Sequence, residues 1–144
     1  MKDSVMRVDY YVHMAADRPG EGAKIHLMLK KGGVNLVAVH AFPVGGGKMQ
    51  VDFVPENPAR LKDVARREGL ELEGPKTAFL IQGEDRMGAL AEALERVAHA
   101  GINVTAVTGI GVGAARYGVL LWVAPRDVDA AARALGAVTL VLKH

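Results

Sequence analysis

The sequence contains no cysteine, which excludes disulfide bonds, thiolate metal sites and cysteine-based catalysis. Aromatic residues make up only 5% of its 144 residues, so it offers little of the aromatic surface on which RNA-binding modules stack bases. No stretch approaches the roughly 20 apolar residues of a membrane span, and the N-terminus lacks the apolar run of a signal peptide. We therefore expect a soluble, cytoplasmic protein that binds neither membranes nor nucleic acid.

Motifs of common catalytic and metal sites are also missing. The sequence has no nucleophile elbow, Walker loop, GxGxxG or HExxH motif. None of its five histidines has metal-ligand spacing beside a carboxylate. We expect no enzyme activity, no metal and no cofactor. His26 lies on the apolar side of a predicted helix, where a satisfied, partly buried side chain or an inter-module contact is expected before catalysis.

An internal repeat is the strongest signal in the sequence. Asp17-Arg18-Pro19-Gly20 aligns with Asp85-Arg86-Met87-Gly88, and without gaps Gly33-Val34-Asn35 then falls on Gly101-Ile102-Asn103. Chance seldom aligns turn residues and hydrophobic phase together. The chain is therefore expected to contain two modules, residues 1–74 and 75–144, with Gly74-Pro75 at the boundary.

The hydrophobic pattern predicts the order βαββαβ in each repeat. The first helix of each repeat is expected at 20–32 and at 88–100, and each is closed by glycine. The second helix is expected after the N-cap residue Asn57 in the first repeat and before Gly136 in the second. Strands are expected at 5–14, 35–42, 49–54 and 70–73 in the first repeat, and at 77–82, 103–110, 117–123 and 138–142 in the second.

This order fits an α+β, ferredoxin-like fold, duplicated in tandem. Each copy has one antiparallel four-stranded sheet, in the order 4-1-3-2, with two helices on one face. Glycine-rich links at 45–47 and 111–113 are flanked by strands, which favours flexible hairpin loops over a phosphate cradle. Two small one-sided sheets leave faces and edges uncovered, so we expect a homo-oligomer or pairing of the two sheets.

With these residues the sequence resembles the ACT-domain family, small βαββαβ modules that regulate amino-acid metabolism by binding amino acids. The resemblance rests on the two DRxG loops and on Gly33-Val34-Asn35 with its counterpart Gly101-Ile102-Asn103. It covers nearly the whole chain. The overall pattern is similar to that of stand-alone tandem members, which carry no catalytic domain.

The resemblance implies a ligand site near the loop that joins the first strand to the first helix. The residues implied are Asp17, Arg18, Pro19, Gly20 and Asn35 in the first repeat, and Asp85, Arg86, Met87, Gly88 and Asn103 in the second. Open N–H groups at a helix N-terminus suit the carboxylate of an amino acid, and an Asp side chain could accept hydrogen bonds from its ammonium group. Alternatively, Asp17 and Asp85 are only N-caps, and the two asparagines only turn residues.

The first loop is expected to be the better ligand site. Pro19 fixes its own φ near −65°, an advantage that the equivalent Met87 lacks. We expect Gly20→Asp to abolish binding and leave the fold intact, provided that the φ of Gly20 is negative.

These observations predict a regulatory protein that binds an amino acid or similar small effector and passes the signal to a partner protein. Two alternatives stay open. The chain could be a structural or partner-binding module without a ligand, or an RNA-binding protein of the same topology. The second is disfavoured because its third strands, with Phe53, Tyr117 and Trp122, lack the expected aromatic pattern.

Overall fold

The computed structural model describes residues 3–139. The first repeat contains β1 (Ser4–Ala16), α1 (Glu21–Lys31), β2 (Leu36–Gly45), β3 (Lys48–Pro55) and α2 (Pro58–Glu68). The second contains β4 (Glu73–Glu84), α3 (Ala89–His99), β5 (Val104–Gly113), β6 (Arg116–Val123), a 3-10 turn (Pro125–Asp127), α4 (Val128–Leu135) and β7 (Val138–Thr139). The predicted fold class, a duplicated α+β ferredoxin-like module, is confirmed.

The described residues divide into two compact units. Residues 9–76 form one, the first-repeat unit, and residues 3–8 together with 77–139 form the other, the second-repeat unit. The repeat alone placed the boundary between residues 74 and 75. In the structure the opening residues of β1 belong to the unit built from the second repeat, and β4 begins inside the first-repeat unit.

In the first-repeat unit, antiparallel strands lie in the order β2-β3-β1, with Phe53 of β3 opposite Tyr11 of β1. Apolar side chains of α1 and α2 pack on one face of this sheet, because their buried residues recur at helical spacing. The buried cluster comprises Tyr11, Ala15, Ile25, Leu29, Val51, Phe53, Leu61 and Val64.

The short strand predicted at 70–73 is wrong for most of its length. The N–H of Leu70 donates to the carbonyl of Ala65 at 2.8 Å, just after the left-handed Gly69, so this segment closes the end of α2. Leu70 and Leu72 then pack against the core. The strand begins only at Glu73 and runs on as β4.

In the second-repeat unit, antiparallel strands lie in the order β5-β6-β4, with Leu121 of β6 opposite Phe79 of β4. The predicted strand 138–142 lies partly outside the described residues, and its described part is β7. The predicted order 4-1-3-2 places the last strand of the second repeat beside the first strand of that repeat, which is β4. That is wrong, because β7 pairs in parallel with Met6 and Arg7 of β1. The buried cluster includes Val5, Phe79, Ile81, Val97, Val119, Leu121, Ala131 and Leu135.

The hairpin turns of the two repeats occupy equivalent positions but differ in residue type. Gly46 and Gly47 form the first turn with φ of +64° and +73°. Ala114 and Ala115 form the second, with φ of +52° and +55°. The predicted loop at 111–113 is therefore wrong, since these residues extend β5. Both turns have the positive φ at two successive residues that a type I′ hairpin needs, which glycine adopts freely and alanine does not.

Replacing Ala114 and Ala115 together by glycine should stabilise the protein. Left-handed backbone costs an L-residue about 1–2 kcal/mol, offset in part by the greater entropy of unfolded glycine. We expect a gain of about 1 kcal/mol in the free energy of unfolding, measured by chemical denaturation. Ala98→Gly, at an exposed position of α3, is the control and should destabilise the protein. A loss of stability in the double variant would contradict the strained turn.

Candidate functional site

The loops that precede α1 and α3 are anchored in the same way. The N–H of Asp17 donates to the carbonyl of Gly47 at 2.9 Å, and the N–H of Asp85 donates to the carbonyl of Ala115 at 2.7 Å. Each β-hairpin turn thus holds the candidate ligand loop of its own repeat. Sequence reasoning missed these carbonyls, although the two turns lie at the fixed offset of the repeat.

Glycine in the left-handed conformation begins both helices. Gly20, with φ of +90°, is the N-cap of α1, and Gly88, with φ of +70°, is the N-cap of α3. No side chain accepts a capping hydrogen bond at either helix. The alternative that Asp17 and Asp85 are only N-caps is therefore wrong, because glycine occupies the N-cap position.

The start of α1 presents backbone donors to solvent. Its first i to i−4 hydrogen bond runs from the N–H of Lys24 to the carbonyl of Gly20. Helix geometry therefore leaves the N–H groups of Gly22 and Ala23 without an acceptor inside the helix. A Cβ built at Gly20 or Gly22 would have no neighbouring atom within 4 Å. A small anion can approach this end of the helix, where the dipole favours negative charge.

The positive φ of Gly20 changes one expectation. Gly20→Asp was expected to preserve the fold only if this φ were negative, and it is +90°. An aspartate there would be strained whatever space surrounds it. The premise is wrong, so Gly20 cannot serve for a clean test of binding.

Arg18 lies over the first turn of α1. Its guanidinium pairs with the carboxylate of Glu21 at 2.7 Å, and the Arg18 side chain remains 67% exposed. The hydrogen bond from Arg18 lowers the pKa of Glu21. Pro19 and Asp17 are exposed beside it. The first loop therefore places an exposed guanidinium and a carboxylate around the open N–H groups.

Arg86, the equivalent residue of the second loop, is far more engaged. It forms a two-pronged ion pair with Asp3 at 3.0 and 3.1 Å, and it contacts Glu92 at 3.1 Å. It also donates to the Glu84 carbonyl and lies 5.9 Å from the centre of the Tyr117 ring. The Arg86 hydrogen bond lowers the pKa of Asp3, and that same bond raises the pKa of Arg86.

The two asparagines do not join their loops within one unit. Asn35 follows the C-terminus of α1, whereas Gly20 precedes its N-terminus, and the 11 residues of α1 itself span about 17 Å. The side chain of Asn35 donates to Glu56, and the Glu56 N–H donates back to the Asn35 carbonyl at 2.9 Å. Asn103 likewise lies beyond the far end of α3 from Gly88.

A groove of about 800 Å³ begins at Gly20 and follows α1 and α2. Leu27 is 55% exposed there, and Lys24 and Lys31 line the same groove. The groove is lined by Gly20, Ala23, Lys24, Leu27, Met28, Lys31, Gly32, Val64, Arg67 and Glu68. The sequence pattern did not reveal this groove, since it depends on how the two helices pack.

The histidine singled out in the sequence is satisfied, as predicted. Nδ1 of His26 lies 2.7 Å from the carbonyl of Gly22, and its ring meets Phe53 edge-on at a centroid distance of 5.9 Å. Within residues 3–139, no three histidine, aspartate or glutamate side chains cluster in a way that could hold a metal ion. In the same residues no helix has the length and apolarity to cross a membrane.

No protein-family model and no curated protein matches the chain. Solved structures do match in fold. Protein BT0572 from Bacteroides thetaiotaomicron has a TM-score of 0.77 at 14% identity, over 92% of this chain and 88% of that one. The ligand-free regulatory subunit of aspartate kinase from Thermus thermophilus has a TM-score of 0.63 at 18% identity, over 93% and 94%.

The regulatory subunit of aspartate kinase from Thermus flavus is similar as well, with a TM-score of 0.58 at 18% identity over 94% of this chain and 95% of that one. Such identities establish likeness of fold. They support the duplicated ferredoxin-like fold that the sequence predicts, across both repeats.

The two equivalent arginines should differ in their effect on stability. Arg86→Met leaves the Asp3 carboxylate, whose side chain is 1% exposed, without its ion pair. We expect the midpoint of thermal unfolding at pH 7 to fall by several degrees. Arg18→Met is the matched control and should change it little, because the Arg18 ion pair is exposed.

The effect of Arg86→Met should also depend on pH. Because the pKa of Asp3 is lowered in the folded protein, its ion pair stabilises above the ordinary carboxylate pKa of about 4. This stabilisation is lost as pH falls through the lowered pKa. Melting curves should therefore converge for wild type and Arg86→Met at acid pH. Equal melting of the two proteins at pH 7 would show that the Asp3–Arg86 ion pair does not stabilise the fold.

Proposed function

We propose that the chain is a tandem ACT-like regulatory protein that binds an amino acid or similar small effector and acts without catalysis. The likeness of fold to regulatory subunits of aspartate kinase, over more than nine tenths of both chains, supports this proposal. The name regulatory subunit also supports a partner protein whose activity responds to the effector, and a cytoplasmic location is part of the proposal.

The effector is proposed to bind at the start of α1. Its carboxylate would accept hydrogen bonds from the N–H groups of Gly22 and Ala23, which the left-handed Gly20 leaves accessible. Asp17, exposed in the same loop, supplies a carboxylate for the ammonium group. Pro19 limits the loop's freedom before binding, which reduces the entropy lost on binding.

The second loop, Asp85 to Gly88, is proposed as the weaker effector site. Arg86 is held by Asp3 and Glu92, and Met87 is fully exposed. Asn35 and Asn103 lie at the other ends of their helices, so the proposal for each unit rests on the loop residues.

A homo-oligomer is part of the proposal. Strands β2 and β5 end the strand orders of their units, and both carry exposed apolar side chains. Val37 and Val39 of β2 are 41% and 47% exposed, and Ile110 and Val112 of β5 are 62% and 63% exposed. Exposed edge strands with such side chains favour association with another strand or chain.

The groove along α1 and α2 favours a second candidate function, a module that binds a protein partner without any small ligand. Its exposed Leu27 and its cations Lys24, Lys31 and Arg67 would suit an apolar segment that carries negative charge. Titration with amino acids separates the two functions, since only the first requires saturable binding of a free amino acid.

Ala23→Asp should weaken amino-acid binding, and Ala91→Asp should not. The two alanines are equivalent in the repeat, exposed, and in the first turn of their helices. An aspartate at position 23 places negative charge beside the proposed carboxylate position. We expect at least a tenfold loss of affinity, about 1.4 kcal/mol, by calorimetry with any amino acid that binds the wild type.

Both variants should melt close to the wild type, because an acidic residue in the first turn is favoured by the helix dipole. Loss of binding in Ala91→Asp alone would place the effector at the second loop. Absence of binding by all the standard amino acids to the wild type would reject the effector role and favour the partner-binding module.

A further inference from the structure

We propose that Arg86, Tyr117 and the space beside Gly83 form a carboxylate-binding site, which the chain fills with its own Asp3. When Asp3 is removed or withdrawn, this site takes the carboxylate of a small monocarboxylate ligand. The inference concerns the second-repeat unit alone. It rests on the part of the proposed function that places a weaker site at the second loop, which contains Arg86, and it does not depend on effector binding at α1.

Both oxygens of the Asp3 carboxylate are hydrogen-bonded. Nη1 of Arg86 donates to Oδ1 at 3.1 Å, and Nη2 donates to Oδ2 at 3.0 Å. The hydroxyl of Tyr117 donates to Oδ2 at 2.6 Å. This two-pronged contact is the geometry with which arginine recognises carboxylates in ligands. The hydroxyl of Tyr117 adds a third donor to the same carboxylate.

The surroundings of the carboxylate are shaped to enclose it. The Asp3 side chain is only 1% exposed, although residue 3 precedes the first strand. A Cβ at Gly83 would overlap the Asp3 carboxylate, so glycine provides the room. Enclosure strengthens the hydrogen bonds, because water does not compete for the same donors.

The donors are held in place by groups other than Asp3. The carbonyl of Glu84 and the carboxylate of Glu92 each accept a hydrogen bond from Arg86 at 3.1 Å. Burial and the hydrogen bond to Asp3 raise the pKa of Tyr117 to about 12, so its hydroxyl remains a donor at neutral pH. Glu92 also adds negative charge, which favours a monocarboxylate over a dianion such as phosphate.

The first repeat does not contain this site. The positions equivalent to Gly83 and Tyr117 are Ala15 and Met49, and Arg18 pairs with Glu21 of its own helix. The methyl group of Ala15 takes the place of the space beside Gly83, and Met49 has no hydroxyl that could donate as Tyr117 does. The two repeats thus differ in chemistry at the same place in the fold.

Chemical rescue of Asp3→Gly tests the proposal. The variant removes the internal carboxylate, and we expect its midpoint of thermal unfolding to fall by about 5 °C or more. Sodium acetate should restore at least half of this loss, with saturation in the millimolar range. Sodium chloride at equal ionic strength and acetamide, a neutral analogue of the same shape, should not. Saturation-transfer NMR should detect acetate bound to Asp3→Gly and not to the wild type.

Two further variants make the result specific. Asp3→Asn keeps the side chain in the site and should respond to acetate weakly, whereas Asp3→Gly with Arg86→Met should lose the response. If Asp3→Gly is unfolded without acetate, recovery of its circular dichroism spectrum in acetate supports the site. The proposal would be overturned if acetate and chloride had equal effects on Asp3→Gly. It would also be overturned if acetate raised the thermal midpoint of neither Asp3→Gly nor Asp3→Asn.

Discussion

The second-repeat unit depends on residues 3–8, the opening segment of the first repeat. Val5 is 4% exposed inside its core, Met6 and Arg7 pair with β7, and Asp3 holds Arg86. A domain of about 70 residues buries a smaller fraction of its surface than a larger domain does, so one added strand matters greatly. Because residues 3–8 contribute to the core of the second-repeat unit, a division at the repeat boundary does not reproduce the two units of the structure.

The duplicated scaffold gives its two loops one backbone frame and different chemistry. In both, a hairpin carbonyl anchors the loop and a left-handed glycine begins the helix. The arginine then differs, since Arg18 pairs with Glu21 on its own helix and Arg86 is held by Asp3. One loop is thereby left accessible, and the other is closed by a carboxylate of the chain. This difference is why the first loop is proposed as the stronger effector site and the second loop as the weaker one.

Most of the fold could be predicted from the sequence, because turn residues and hydrophobic phase repeat together. The helices begin and end within a residue or so of the predicted positions, and Asn57 caps α2 as expected. The turn at Ala114 and Ala115 was missed because alanine seldom adopts positive φ. The place of β7 was missed because residues 3–8, far away in sequence, supply its partner.

The candidate site was only partly predictable, for a related reason. The loops were found from local spacing, which the sequence displays directly. The Asp3–Arg86 pair joins residues far apart in the chain and leaves no periodic signal. The N-cap was misassigned because Asp17 has a good capping side chain, while the backbone places Gly20 at that position.

The central claim is that an amino acid binds at the start of α1, and amide NMR tests it most directly. Titration of the ¹⁵N-labelled protein with the standard amino acids should shift the amide resonances of Gly20, Gly22 and Ala23 most strongly, in a saturable way, for at least one of them. The resonances of Gly88 to Ala91 should move far less. Largest shifts at Gly88 to Ala91, or no saturable shift with any amino acid, would contradict the account.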